Sequence, residues 1–148
     1  MTKHIRQQVR EAAAALLTGL ATTGSHVFQS RVYPLQDEEL PCLLISTEGE
    51  LVEYMTMGFP RRQKRTITLS VKALSKTVLD LDDVLDSICK EVEVALLADT
   101  SLSGLAKDTQ IKSTATGLHG EGERPIGVAV MSFEVTVHTR EDAPDVAV

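Results

Sequence analysis

Aromatic side chains are scarce in this chain. Phe, Tyr and Trp make up 3% of its 148 residues, and Trp is absent. The core must therefore be built from aliphatic side chains, and single-stranded nucleic acid, whose bases stack on aromatic rings, is a disfavoured ligand. A formal net charge of −6 also disfavours general nucleic-acid binding, because nucleic-acid binders carry a basic field. We expect no specific binding of nucleic acid.

Cysteine is nearly as rare as the aromatics. The two thiols, Cys42 and Cys89, form no CxxC motif and have no zinc-site spacing. A disulfide between them is possible in principle, but we interpret both as small buried apolar residues. No apolar run approaches the ~20 residues of a membrane span, and no secretory leader is recognisable, which predicts residence in the cytoplasm without a membrane.

Two segments have the apolar periodicity of amphipathic helices. In the first, apolar residues recur at three- and four-residue steps from Ile5 to Leu20, and Thr2 is a candidate cap. In the second, Asp80 is a favourable N-cap, and an apolar stripe extends to Leu96. The sequence therefore predicts one helix at each of these places.

Strand patterns occupy much of the remaining chain. Cys42-Leu43-Leu44-Ile45 is apolar on both faces, which is typical of a central strand, and Gly49 marks a turn after it. In 61–74 and 126–139 the apolar residues alternate with polar ones, so one face of each strand is predicted to be covered. The predicted strands are 26–33, 42–45, 51–57, 61–74, 108–116 and 126–139, with a loop at 117–125.

This order of elements predicts an α+β fold, with two helices packed on one face of a mainly antiparallel or mixed β-sheet. The length of 148 residues suggests one domain, which we assign to residues 1–140. Residues 141–148 are acidic and contain a proline, and we predict that they form a disordered tail.

No segment carries a recognised catalytic or metal-binding motif. Residues 80–83 are acidic but lack the glycine and the downstream glutamate of a calcium loop, and residues 120–125 place Pro125 where a phosphate loop has glycine. We therefore predict no enzyme, no catalytic residue, no metal and no cofactor. An enzyme with a dispersed site that uses His119 or Cys42 stays open as a competing hypothesis, because triads can assemble from distant positions.

A basic cluster begins the best strand. It has two interpretations, a solvated strand end or a surface that binds a partner, and it consists of Arg61, Arg62, Lys64 and Arg65. Its acidic complement on another copy would be Asp37, Glu38 and Glu39, or the outer face of the second helix at Asp83 and Asp86. Complementary patches on one chain permit head-to-tail contact, which closes into a ring or continues as a filament.

The stretch 50–64, just before and within this cluster, is a candidate mobile segment that becomes ordered on assembly. Its apolar side chains include Tyr54, Met55, Met57 and Phe59. They form either a small satellite core or an assembly surface.

In the order of these features the chain resembles the tail terminator proteins of long-tailed bacteriophages, the family related to the minor tail protein U of phage lambda. The resemblance extends from Ile5 to Thr139 and is one of order and texture, with no invariant motif. The residues that carry it are Val32-Tyr33-Pro34, Leu40-Pro41-Cys42-Leu43-Leu44-Ile45, the Arg-rich strand 61–74, Ile88-Cys89-Lys90-Glu91-Val92-Glu93, and 130–137.

The resemblance implies a structural role. Such proteins bind the head-proximal end of a completed tail tube as a six-membered ring, stop tube polymerisation and present a surface for joining the head. The implied partners are further copies of the chain, the tube protein and a head-completion protein, in the host bacterial cytoplasm before assembly and in the virion afterwards. Another head–tail completion protein of the neck, or a small cytoplasmic ligand-binding or regulatory domain, are the alternatives.

Overall fold

A computed structural model describes residues 2–29, 37–76, 79–119 and 125–148 of the chain, with the side chains of Asp37 and His119 outside the description. Two α-helices and six β-strands are found in these residues. The elements, in chain order, are α1 (Ile5–Leu17), β1 (Val27–Phe28), a single 3₁₀ turn (Asp37–Glu39), β2 (Cys42–Tyr54), β3 (Arg62–Lys76), α2 (Leu81–Leu97), β4 (Asp108–His119), β5 (Ile126–Arg140) and β6 (Ala143–Ala147).

The strands form one mixed sheet in the order β1-β2-β3-β5-β4, with β6 beside the end of β5. β1 is parallel to β2 and covers it only at Leu43 and Leu44. Every other pairing is antiparallel, and β3 and β5 lie side by side over their whole length, from Arg62 opposite Arg140 to Lys76 opposite Ile126. These two long central strands determine the direction of the whole sheet.

Both helices pack on one face of the sheet. The inward positions of β3 and β5 are fully buried and alternate with polar ones, as predicted from the sequence; they are Ile67, Leu69, Val71 and Ala73 in β3, and Ala129, Met131, Phe133, Val135 and Val137 in β5. Ile5 and Val9 of α1, with Ile88 and Val92 of α2, complete this core. The predicted α+β fold with two helices on one face is therefore confirmed.

On the face of the sheet opposite the helices (the helix-free face), the described residues form a buried apolar cluster at one end. There Cys42, Leu44, Leu74 and Val128 form a second buried cluster. Because Leu43 and Ile45 of the same strand point into the main core, the run 42–45 is buried on both faces, as its sequence predicted.

Helix α1 differs from the prediction at both ends. His4, and not Thr2, is the N-cap, since its Nδ1 accepts a hydrogen bond of 3.1 Å from the backbone N–H of Arg6. The helix ends at Leu17 and does not reach Leu20, which forms an isolated bridge to Gly24. The apolar periodicity of the sequence extends beyond the end of the helix because Leu20 also packs against the core.

Three predictions about strands are wrong. Gly49 does not mark a turn: β2 continues through it with a bulge between Thr47 and Gly49, so the separate strand 51–57 is the second half of β2. β4 continues to His119, beyond the predicted start of the loop at 117. The disordered tail at 141–148 is instead β6, which pairs with β5 and accepts a 2.7 Å hydrogen bond at the Asp145 carbonyl from Gln8 of α1. Of the predicted strand 26–33, residues 30–33 lie outside the described residues.

Candidate assembly surface

The turn of the β2–β3 hairpin carries four large exposed apolar side chains that are close together in sequence. The ladder pairs Tyr54 with Gln63, and the turn begins with a 2.7 Å hydrogen bond from the N–H of Met55 to the carbonyl of Arg62. At this apolar hairpin tip, Tyr54 is 57%, Met55 47%, Met57 98% and Phe59 78% exposed. The alternative of a satellite core is therefore wrong, because these side chains bury little against their own chain.

The hairpin is a paired structure at both ends of the stretch 50–64, which was predicted to be a mobile segment. Residues 50–54 and 63–67 are in register within one antiparallel ladder, so the turn at 55–61 is what lies outside it. The tip is thus presented on a two-stranded arm whose backbone hydrogen bonds are already formed.

An ionic network ties the base of this arm to helix α1. The Nη1 of Arg65 lies 2.9 Å from Oε1 of Glu50, and the guanidinium of Arg6 in α1 pairs with the same oxygen. Arg65 also donates to Oγ1 of Thr139 at 2.9 Å and to Oε1 of Gln63 at 3.1 Å. The side chains of Arg65 and Glu50 are only 9% and 13% exposed.

Arg65 is therefore not a partner-binding residue of an exposed basic cluster. Arg65 precedes Ile67 by two residues in β3, so the alternation of the strand points it to the helix-covered face, where Glu50 neutralises it. Its role is internal, because it fixes the position of the hairpin relative to α1 and β5.

Arg61 is also committed to contacts within the chain. Its backbone N–H and its Nε each donate to Oε1 of Glu141 at 3.0 Å, and its guanidinium lies 4.6 Å from the centre of the Tyr54 ring. The hydrogen bond and charge of Glu141 raise the pKa of Arg61, while Arg61 lowers the pKa of Glu141. These contacts hold one side of the hairpin tip against the turn between β5 and β6.

Arg62 and Lys64, the other half of the predicted cluster, point to the helix-free face. In register they lie opposite Arg140 and His138 of β5. Burial lowers the pKa of His138, and the positive charges of Lys107, Arg62 and Lys64 lower it further. A small positive patch therefore exists on this face, made by two of the four residues named from the sequence.

The acidic complement lies at the far end of the sheet. Asp37, Glu38 and Glu39 form the 3₁₀ turn before β2, whereas the hairpin tip follows the other end of this 13-residue strand. At ~3.3 Å per residue the two ends are separated by about 40 Å. The fold therefore does not bring this acidic turn and the predicted basic cluster together within one chain.

Of the two candidate catalytic residues, Cys42 and His119, the structure describes the side chain of Cys42 alone. Cys42 is fully buried, and burial raises the pKa of its thiol to about 12. The Nδ1 of His26 lies 3.3 Å from the carbonyl of Pro41, His4 caps α1, and the side chain of His119 lies outside the described residues. Within the described part of the chain no group of three or more His, Cys, Asp or Glu side chains could hold a metal ion, and no helix is long and apolar enough to span a membrane.

Several residues of this surface were not identified from the sequence. Glu50, Arg6 and Glu141 anchor the hairpin, but ion pairs between distant positions leave no local signal. Leu51, 70% exposed, adds to the apolar surface of the arm, and strict alternation along β2 would have placed it inside. The bulge before Gly49 is what turns it outward.

Comparison with known proteins assigns this chain to no family. No protein-family model matches the sequence, and no curated protein sequence matches it significantly. One similar solved structure is a chain of the "Virion of native gene transfer agent (GTA) particle", which is 16% identical in sequence, with a TM-score of 0.45 over 90% of this chain and 92% of that chain. At this similarity the match carries no argument about function.

Proposed function

We propose that this chain is a structural subunit, and not an enzyme, that assembles into a ring and caps the end of a phage-type tail tube. The observation that carries the proposal is the apolar hairpin tip, Tyr54, Met55, Met57 and Phe59, held in solvent on an anchored two-stranded arm. Large apolar side chains exposed together mark interaction surfaces in soluble proteins.

The architecture of the arm favours a macromolecular partner over a small ligand. Small ligands are bound in concave sites where polar groups converge. The tip instead exposes four large apolar side chains, and the charges of Arg61 and Glu141 beside it already pair with each other. Met is also well suited to an adaptable contact surface, because its unbranched side chain repacks at low cost. Burying the tip against a flat or grooved partner surface is therefore its most favourable use.

The identity of the assembly rests on the resemblance of the sequence to tail terminators. Under that resemblance the partners are other copies of the chain, in a six-membered ring, together with the end of the tube and a head-completion protein. The protein would be made in the host bacterial cytoplasm and end in the virion tail. Arg62 and Lys64, which remain exposed or half-buried on the helix-free face, are available for contacts with such partners.

Electron microscopy of polymerising tail tubes tests this proposal. Wild-type chain added during polymerisation should stop elongation, giving shorter tubes with density at one end. The double variant Met57→Glu/Phe59→Ser should fail to do so while keeping the wild-type melting temperature, since both side chains are exposed. Val146→Ser, a substitution at an exposed apolar position in β6, is the matched control and should still cap tubes.

Two results would redirect or refute the proposal. Tube lengths that do not change with wild-type chain at any concentration would refute tube capping. Binding to the head-completion protein in the absence of any binding to tubes would favour a different neck protein instead.

A further inference from the structure

Strand β4 is an edge of the sheet that nothing in the described chain covers. It pairs with β5 on one side, and the sheet ends at its other side. All residues from 112 to 118 are exposed. An edge strand directs alternate N–H and C=O groups outward, and these groups form a template on which another strand can pair.

The composition of this edge does not protect it. Residues 113–118 read Ser-Thr-Ala-Thr-Gly-Leu, with no charge and no proline. Soluble proteins usually blunt an exposed edge with lysine, proline, a bulge or a very short strand. The bulge of β4 lies before this stretch, between Ile111 and Ser113, so the stretch itself is regularly paired with β5. It is therefore suited to accept a strand.

A second uncovered edge lies on the opposite side of the same sheet. β1 pairs with β2 only at Leu43 and Leu44, and no described strand lies beside residues 49–54 on the side away from β3. Leu51 and Tyr54 are exposed there, as Leu118 is on the β4 edge. Apolar side chains on both edges can form the cross-strand pairs that stabilise a sheet.

The directions of the two edges fit each other. β2, β3, β5 and β4 are successively antiparallel, so β2 and β4 run in opposite directions within one chain. When a second copy extends the sheet in the same orientation, its β2 lies antiparallel to β4 of the first copy. The joint thus has the same geometry as the pairings inside the sheet.

We propose that the β4 edge, residues 113–118, pairs with the β2 edge, residues 49–54, of a second copy of this chain, so that the sheet continues from copy to copy. Two different edges make this a heterologous contact, which generates a ring when its rotation closes. That the copies close into a ring rests on the proposed function, and the edge pairing identifies the two surfaces that would build this ring. A second copy is the favoured occupant because the chain itself supplies the complementary edge.

Complementation between two blocked variants tests this pairing. Proline at an outward-facing N–H blocks an edge without removing a bond inside the sheet. Leu51→Pro and Val52→Pro are both made, and the variant that keeps the wild-type melting temperature is called the β2-blocked chain. Of Ala115→Pro and Thr116→Pro, the variant chosen in the same way is the β4-blocked chain. In each adjacent pair the other member loses a bond within the sheet, and its lower melting temperature confirms the choice.

Native mass spectrometry of the full chains gives the readout. Wild-type chain should form a closed oligomer, and each blocked variant alone should be monomeric, with association weakened at least tenfold. The equimolar mixture should form a 1:1 heterodimer and nothing larger, because one open edge remains on each chain.

Each other outcome would overturn the edge pairing. Dimers formed by a single blocked variant would indicate a symmetric contact. Oligomers of wild-type size in both variants would indicate that another surface joins the copies. A wild type that stays monomeric at its highest soluble concentration would indicate that the edges do not pair. The tube-capping experiment fails or succeeds separately. If the wild type forms oligomers and the two blocked variants complement each other, but the wild-type chain leaves tube lengths unchanged, tube capping is refuted and the pairing of edges is retained.

Discussion

The ionic network at the base of the hairpin gives the most demanding prediction about this fold. Glu50 is the counter-charge of the nearly buried Arg65, and the two atoms Nη1 and Oε1 are 2.9 Å apart. Replacing Glu50 by Leu removes that charge and leaves a guanidinium enclosed by Gln63, Thr139 and the core. The variant should therefore unfold more easily, although the substituted side chain is of similar size.

The magnitude follows from the burial of the pair. Breaking a buried ion pair by removing one partner costs about 3–5 kcal/mol, and the residual exposure of 9% and 13% places Glu50→Leu near the lower end, at about 3 kcal/mol. Arg6 also loses its partner, but its side chain is 41% exposed and water replaces the contact. At about 2–4 °C per kcal/mol for a chain of this size, the melting temperature should fall by about 6–12 °C.

A double-mutant cycle distinguishes charge from packing. Replacing both partners, in Glu50→Leu/Arg65→Met, removes the unpaired charge, so the double variant should be more stable than Glu50→Leu alone. Urea denaturation and calorimetry measure the four free energies of unfolding. Asp142→Asn, which breaks the exposed pair between Arg140 and Asp142, is the control and should leave the melting temperature unchanged. A loss below about 1 kcal/mol for Glu50→Leu, or a double variant less stable than that single variant, would refute the assigned role.

Three further predictions concern single sites. Burial is the largest cause that lowers the pKa of His4 and of His138 below 6.5, so the unfolded state binds more protons than the folded state at acid pH. The free energy of unfolding should therefore be constant above about pH 7 and fall below pH 6.5. Denaturation across this range should show that a His4→Asn/His138→Gln variant loses most of that slope, and a slope equal to that of the wild type would contradict the assignment. Because the thiol of Cys42 has a pKa of about 12 and is not exposed, it should resist iodoacetamide in the folded chain and react after denaturation. Mass spectrometry measures the labelling, and labelling of the native protein would contradict the burial of Cys42. A Cβ added at Gly127 would lie 2.5 Å from Cδ1 of Leu81, so Gly127→Ala should destabilise the folded chain by about 1–3 kcal/mol in a thermal melt. Leu81→Ala as a second change should relieve this loss, whereas an unchanged melting temperature of Gly127→Ala would show that Leu81 moves aside freely.

Local periodicity determined much of the architecture. The alternation in β3 and β5 identified each inward residue correctly, from Ile67 to Val137, because successive side chains of a strand point to opposite faces. The same rule already placed Arg65 on the face of Ile67. Its basic neighbours nevertheless suggested a common exposed cluster, and that interpretation was wrong for Arg65 because charge alone does not reveal which face a residue occupies.

Pairing between distant segments could not be derived from the sequence in the same way. β6 is short, contains a proline and an aspartate, and follows two acidic residues, so the local sequence resembles that of a disordered end. It is ordered because Thr139 and Arg140 of β5 extend beyond β4 and offer it an edge, and α1 covers it through Gln8. The prediction of a tail failed because its stabilisation comes entirely from other parts of the chain.

The two helices and the buried sides of β3 and β5 followed from the sequence alone, since both depend on near neighbours along the chain. The tertiary structure alone decided what the hairpin presents. One extra residue at the bulge of β2 reverses the alternation after Thr47, so that Glu50 enters the interior to meet Arg65 and Leu51 turns to solvent. That reversal depends on the partner strand, because a bulge exists only where two strands are aligned and one of them is a residue longer.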